Sequence, residues 1–167
     1  GVDYMALSAH KIGGPQGIGA LIRRDGAPLR SLITGGGQER GARAGTENVA
    51  AIAGFGVAAR IALETWRDTA KRVAGFRDEL ERRVKELAPG SRIYSEVAPR
   101  LPNTSNFSLP GVRSDTQVMN LDLTGIAVSA GSACSSGKVE PSHVLDAMKV
   151  PADEATTALR VSFGWNS

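Results

Sequence analysis

The chain has 167 residues, of which 41% are hydrophobic and 22% charged, a composition that excludes global disorder and is typical of a globular protein. Twenty Lys and Arg against 17 Asp and Glu leave a net charge of +3, too small to predict nucleic-acid binding without a basic cluster. The longest uncharged stretch, residues 123–137, is rich in Ser, Gly and Thr and shorter than the roughly 18 apolar residues of a membrane-spanning helix, so we expect no membrane anchor.

Cysteine and histidine are scarce. Cys134 is the single cysteine, which excludes an internal disulfide. His10 and His143 lie far apart in sequence and give no recognisable zinc-ligand spacing, so we predict no metal site. This usage is compatible with a reducing, cytoplasmic compartment.

Both ends of the chain adjoin predicted strands. The sequence starts at Gly1 without a methionine and stops directly after its last predicted strand, with no closing helix. We expect a portion of a longer chain, and for the same reason the lack of a signal peptide carries little weight.

The first region is rich in glycine, with 13 of the 20 glycines in the first 56 residues. Residues 4–7 and 18–23 predict two short buried strands, separated at residues 10–17 by a loop dense in turn residues. A second glycine-rich loop, residues 35–45, leads into a helix for which we predict Thr46 as the N-cap.

That helix is expected to run to Leu87, with a break near Gly75, because Pro89 and Gly90 end the pattern. Apolar residues recur on one face at spacings of three and four: Val73, Phe76, Leu80, Val84 and Leu87. Four acid-to-base pairs at a spacing of four predict a solvated opposite face: Asp68–Arg72, Asp78–Arg82, Glu79–Arg83 and Glu81–Lys85.

Strand and helix patterns alternate after Pro89, which predicts an α/β domain. The expected strands are residues 92–95, 106–109, 127–129 and 159–163. A capping-box sequence at residues 114–117 opens one helix, a Ser/Gly loop occupies 130–138, and a further helix spans 142–148.

Two side chains stand out chemically. Lys11 follows a predicted strand and precedes a glycine-rich turn, so its amine lies near a sheet end, where α/β folds place ligands. Such a lysine can form a Schiff base, although a loop lysine is usually exposed and inert. Cys134 lies in a Ser/Gly loop without large apolar neighbours, which favours an accessible thiol nucleophile over a small buried hydrophobe.

Four segments together resemble one family. They are residues 8–21 (SAHKIGGPQGIGAL), 35–48 (GGGQERGARAGTEN), 129–137 with 140–145 (SAGSACSSG and EPSHVL), and 159–164 (LRVSFG). They are similar to the cofactor-lysine motif, the second signature, the long active-cysteine loop and the substrate-arginine strand of cysteine desulfurases. These are pyridoxal-phosphate enzymes of the aminotransferase class V group, and the long loop resembles their NifS/IscS-like branch.

The resemblance implies a role for each matching residue. Lys11 would hold pyridoxal 5'-phosphate and shuttle protons. His10 would lie beside the pyridine ring and assist, although a histidine that only caps the strand end is an equal alternative. Ser8 would donate to the cofactor phosphate, and Thr46 would reach the phosphate of the other subunit in a homodimer, with its N-cap role an alternative or an addition.

The resemblance also implies the reaction. Arg160 would pair with the carboxylate of L-cysteine. Cys134 would take the sulfur as a persulfide, leaving L-alanine, and pass it to an iron-sulfur scaffold or another sulfur carrier. A selenocysteine lyase, which the long loop disfavours, and a non-catalytic piece that only dimerises or docks an acceptor are the alternatives.

The implied fold is the type I aminotransferase fold. Residues 1–68 would be the end of the large cofactor-binding domain and residues 69–167 an incomplete small α/β domain. The upstream half of the family supplies the ring-stacking histidine and the aspartate that pairs with the pyridine nitrogen, so we expect this portion alone to be inactive.

Overall fold

The computed structural model describes residues 1–131 and 142–167 and begins with a β-hairpin. Strand β1, Tyr4–Ser8, pairs antiparallel with β2, Gly19–Arg23, in a register that sets Ser8 opposite Gly19. The two predicted strands are therefore confirmed to within one residue. The expectation of burial is wrong, because every residue of both strands is exposed. An apolar run indicates a surface that favours burial, whereas the residues that would bury it lie elsewhere in a protein.

Helix α1, Val49–Leu87, is a single helix of 39 residues that continues through Gly75, where a break was predicted. Its predicted apolar face is confirmed in the second half, where Val73 is buried and Leu80 and Val84 pack against the core of the sheet that follows. Two other residues of the same predicted face are exposed, Phe76 at 42% and Leu87 at 83%, so the face is confirmed only in part.

The charged face of α1 differs from the predicted ladder. Only Glu79 and Arg83 form the expected pair, at 2.6 Å. Glu81 is buried and accepts two hydrogen bonds from Arg100 at 2.5 and 2.6 Å. Lys85 pairs instead with Glu96. The segment after the helix places the charges of Glu96 and Arg100 against this face. Helical spacing alone does not predict these contacts.

The remaining strands form a four-stranded antiparallel sheet in the order β3-β4-β6-β5. The strands are β3 (Arg92–Ile93), β4 (Thr104–Ser108), β5 (Ser129–Ala130) and β6 (Ala158–Ser162). The helices between them are α2 (Ser114–Leu123), α3 (His143–Ala147) and α4 (Ala152–Ala155), the last of which was not predicted. The alternation is thus confirmed, with shifts of a few residues.

The predicted capping box at residues 114–117 is wrong. Arg113 occupies the N-cap position of α2, so Ser114 already lies inside the helix, and Ser114 is buried. The Gln117 side chain donates to the carbonyl oxygens of Val112 and Thr157 instead of folding back on the cap. One of these acceptors, Thr157, lies 40 residues away in sequence, where a local motif cannot predict it.

Both faces of this sheet carry apolar clusters. On one face Ile93, Phe107 and Leu159 pack with side chains from α1 and α2. On the other face Tyr94 and Ala158 pack with Leu145 and Val150. The Tyr94 hydroxyl donates to Glu154 of α4 at 2.8 Å, and burial, assisted by this hydrogen bond, raises the pKa of Tyr94 to about 12. The second half of the chain therefore has a core of its own.

The chain divides into two compact units, Gly1–Trp66 and Arg67–Ser167, and the division falls within α1. Whether these units correspond to the large and small domains expected above stays a prediction. By length and composition alone, α1 could cross a membrane: its most apolar 18-residue window has a mean hydropathy of 1.4 and is 11% buried. One such helix indicates little, because soluble core helices pass the same test.

Candidate active site

Lys11 lies on a short turn that follows the first strand directly. A 3-10 helix, Ala9–Ile12, begins where β1 ends, and Gly13 closes it in the left-handed conformation with φ of 80°. The amide of Gly14 donates to the carbonyl oxygen of Ala9 at 2.9 Å, and the amide of Ala9 donates to that of Ile18 at 3.0 Å. These bonds hold the backbone on both sides of Lys11.

The turn is fixed in place by close packing against α1. Ala9 is fully buried, and a Cβ added to Gly14 would lie 3.0 Å from the Ala9 Cβ and 3.3 Å from the Ala58 Cβ. A Cβ on Gly54 of α1 would lie 2.7 Å from Cγ of Pro15. The small residues of the motif thus permit a close contact between the turn and α1, which larger side chains would prevent.

The polar side chains of this turn remain available. Ser8, His10 and Lys11 are exposed, and within the described part of the chain their side chains make no hydrogen bond or ion pair. Ser8 occupies the N-cap position of the 3-10 helix without capping it. The turn therefore presents an amine, an imidazole and a hydroxyl that its own fold does not use.

The second glycine-rich loop contains a left-handed turn. Within its 3-10 segment, Gln38–Gly41, the backbone of Glu39 has φ of 49° and that of Arg40 has φ of 56°. This region is costly for residues other than glycine. The loop is held at its far end, where the buried Ala44 donates its amide to the carbonyl oxygen of Ile33 at 2.9 Å.

Thr46 does not cap the helix that follows. The helix begins at Val49, and the side-chain oxygen of Asn48 accepts a hydrogen bond from the amide of Ala51 at 3.2 Å. Asn48 therefore fills the N-cap role, and Glu47 lies before the first turn. The predicted N-cap is wrong, because several residues near this boundary can cap and spacing cannot choose among them. Thr46 is exposed, and its hydroxyl does not cap the helix.

Arg160 lies in the middle of the sheet of the second unit. It belongs to β6, where its two cross-strand neighbours are Asn106 of β4 and Ser129 of β5. The residue is half-buried, and none of the described carboxylates lies within ion-pair distance of it. A partly buried guanidinium without a counter-ion favours an anionic ligand.

The remaining predicted site residue, Cys134, lies outside the described residues. Of the others, Ser8, His10 and Lys11 share one turn and belong with Thr46 to the first unit, whereas Arg160 belongs to the second. Sequence reasoning missed Asn106 and Ser129, because their relation to Arg160 exists only through strand register. No group of three His, Cys, Asp or Glu able to hold a metal occurs among the described residues.

Comparison with known proteins shows the family of this chain. The aminotransferase class V model matches residues 1–167. A NifS-like protein superposes with a TM-score of 0.82 at 40% identity, covering 98% of this chain and 41% of that one. A NifS-like protein from Rickettsia africae gives 0.85 at 36% identity, with 100% and 43% coverage. The mixed α/β fold is that of aminotransferase-type proteins, and the chain belongs to the aminotransferase class V family.

Individual curated relatives are described more specifically than the family model. The chain is 46% identical over 162 residues to a cysteine desulfurase of Gluconacetobacter diazotrophicus, covering 97% of this chain and 40% of the relative. It is 47% identical to one of Cereibacter sphaeroides, with 96% and 41% coverage. A cysteine desulfurase IscS of Clostridium botulinum is 41% identical, with 98% and 42% coverage. The chain spans about two fifths of the length of these relatives.

Proposed function

We propose that the protein containing this chain is a cysteine desulfurase that converts L-cysteine to L-alanine and carries the sulfur as a persulfide on Cys134. The observation that carries the proposal is the identity of 41% to 47% to curated cysteine desulfurases along nearly the whole chain. The guanidinium of Arg160, which has no counter-ion in the described part of the chain, adds chemical support because the substrate is a carboxylate.

The described residues fit pyridoxal 5'-phosphate in their donor chemistry. Lys11 offers a primary amine for the aldehyde, and Ser8 and Thr46 offer exposed hydroxyls that cap no helix of their own. Hydroxyl groups are suitable donors to a phosphate. When bound, the cofactor supplies an electron sink for the α-carbon of the amino acid. Lys11 would hold it, with His10 beside it.

The chain's own groups then divide the work on L-cysteine. Arg160 would bind and orient the α-carboxylate, and Lys11 would carry protons at the α-carbon. The Cys134 thiolate would attack the substrate sulfur, so that the carbon–sulfur bond breaks and a sulfur–sulfur bond forms on Cys134. The substrate carbon takes up a proton and leaves as alanine, so the step needs no external oxidant or reductant.

The finer assignments rest on the family alone. The proposal includes a homodimer in which Thr46 serves the phosphate of the other subunit, delivery of sulfur to a scaffold or carrier protein, and a cytoplasmic location. The name IscS among the relatives is consistent with iron-sulfur assembly. The single cysteine is consistent with a reducing compartment.

The test is a stoichiometric one on the full-length protein. Purified protein is incubated with L-cysteine and without reductant, and alanine and protein-bound sulfur are both measured. We expect one alanine per sulfur atom, with the first sulfur mapped to Cys134 by mass. Selenocysteine turnover without cysteine turnover would favour a lyase. Absence of a visible absorbance band would favour a non-catalytic role.

A further inference from the structure

Asn106 carries an acceptor that the described structure leaves unpaired. Its side-chain oxygen Oδ1 is buried, and no donor among the described residues bonds to it. A carbonyl oxygen withdrawn from water without a donor destabilises the fold. Unpaired buried groups of this kind are rare in folded proteins and call for an explanation.

A guanidinium with no ion-pair partner among the described residues lies directly opposite. Asn106 of β4 and Arg160 of β6 are cross-strand partners, so their side chains leave the same face of the sheet with Cβ atoms about 4.5–5.5 Å apart. In the structure the two side chains are not bonded to each other. At such a Cβ separation, an arginine side chain is long enough to place an N–H against the oxygen of its cross-strand neighbour.

Two pairs of polar groups on this face are already engaged, whereas the buried hydroxyl of Ser108, two residues after Asn106, has no partner among the described residues either. Thr104, two residues before Asn106, shares a hydrogen bond with Ser162 at 3.5 Å. The carboxylate of Glu154 accepts from Tyr94 at 2.8 Å and from Arg92 at 3.4 Å. Arg160 is nevertheless the residue directly opposite Asn106 in the strand register, and neither side chain has a partner among the described residues.

We propose that Asn106 is a positioning residue: its side-chain oxygen holds the guanidinium of Arg160 while Arg160 binds the α-carboxylate of the substrate. This inference rests on the proposed function. A guanidinium has five N–H donors, of which a bidentate carboxylate takes two, so one remains for Asn106. The neutral amide leaves the positive charge of Arg160 uncompensated, whereas an acidic residue here would compete with the substrate.

The decisive variant is Asn106→Leu in the full-length enzyme. It removes the acceptor at similar size, and replacing an unsatisfied buried polar group by an apolar one is neutral or stabilising. We expect KM for L-cysteine to rise about tenfold with kcat within twofold, and the thermal midpoint to stay equal or rise. If Asn106 had a purely structural role, Asn106→Leu would instead lower the thermal midpoint.

Two further variants sharpen the result. Asn106→Asp keeps the shape but sets a carboxylate opposite Arg160, so KM should rise further than in Asn106→Leu. The matched control, Thr104→Val, changes a neighbouring position on the same face and should leave KM unchanged. The inhibition constant of propionate, which offers only the carboxylate, should follow KM through the series.

Arg160→Lys separates this inference from the proposed function. If Arg160→Lys raises KM while both Asn106 variants leave it unchanged, the positioning role is overturned and the proposed function stands. If neither position affects KM or propionate inhibition, the substrate site assigned to Arg160 fails and the inference fails with it. A lowered thermal midpoint with kcat and KM falling together in Asn106→Leu would also overturn the inference.

Discussion

Lys11 is the residue on which the cofactor assignment depends. Its turn is anchored by backbone hydrogen bonds and by the buried Ala9, so the exposed amine projects from a fixed base. In the full-length protein, borohydride reduction followed by peptide mapping should place the pyridoxyl mass on Lys11. Lys71, which is exposed on α1, serves as an internal control. Label on Lys71 or another lysine in place of Lys11 would contradict the assignment.

Cys134 is predicted to act after the cofactor has bound substrate. The variant Cys134→Ala should therefore retain the visible absorbance of bound cofactor and its spectral change with L-cysteine, while sulfur transfer to an acceptor falls to background. Loss of one thiol should not affect the other steps, because the turn of Lys11 and the strand of Arg160 are built without it. Undiminished sulfide release from L-cysteine without a reductant would remove Cys134 from the mechanism.

At the scale of elements, the contact between α1 and the Lys11 turn depends on Gly54. The variant Gly54→Val would place side-chain atoms where Pro15 lies, so the turn must move away. We expect a lower affinity for pyridoxal 5'-phosphate, measured by titration of the visible band. Gly56→Ala is the matched control, since a Cβ there meets nothing within 4 Å and should stabilise α1 by up to about 1 kcal/mol. Equal cofactor affinity in both variants would contradict the role of this contact.

The buried pair of Glu81 and Arg100 fastens the segment after α1 to the helix. Burial opposes the ionisation of Glu81, but the hydrogen bonds from Arg100 outweigh it and lower the pKa of Glu81 below its usual value of 4.5. A carboxyl group whose pKa is lowered by folding stabilises the fold above its unfolded pKa. The contribution should therefore be complete above about pH 5 and disappear as the pH falls through the folded value.

Removing Arg100 should expose this dependence. Arg100→Ala leaves Glu81 buried without a partner and should cost about 3 kcal/mol at pH 7, with a smaller loss near pH 3. Arg82→Ala, which removes two exposed helix pairs, should change stability far less than Arg100→Ala. Hydrogen exchange of the β4 amides in the full-length protein reports the local opening free energy. If the stability lost in Arg100→Ala did not vary with pH, the proposed role of the ionised Glu81 would be contradicted.

The sequence predicted the strands and the long helix better than it predicted the contacts that their residues make. The six strands and the long helix follow from apolar periodicity and turn residues, which act locally. The expected burial of the first hairpin failed because burial depends on residues distant in sequence. The Thr46 cap and the Asp78–Arg82 pair failed for a local reason, because neighbouring residues compete for the same role. The other two helix pairs failed because Arg72, Glu81 and Lys85 bind groups outside the helix. Asn106 illustrates the limit: its relation to Arg160 is set by strand register, which no local pattern encodes.

For the whole molecule, the exposed apolar surface of the first hairpin predicts association of the 167-residue chain by itself. Large side chains there are 41% to 53% exposed: Tyr4, Met5, Leu7, Leu21 and Ile22. We expect concentration-dependent oligomers in sedimentation velocity, and neither tight cofactor binding nor cysteine turnover. Leu21→Glu should reduce association, whereas Leu123→Glu on α2, a matched control at a position already 80% exposed, should not. A monomer that binds cofactor stoichiometrically would contradict this expectation.

The sheet order also has a consequence for biosynthesis. Strand β6 is the last described strand in the chain, yet it lies between β4 and β5, and β5 bonds to no other strand of the described sheet. A ribosome must therefore complete residue 162 before β5 can join β3 and β4. A premature stop or a proteolytic cut before Ala158 would remove more than one strand, because it would separate β5 from the rest of the sheet and leave two unpaired edges open to aggregation.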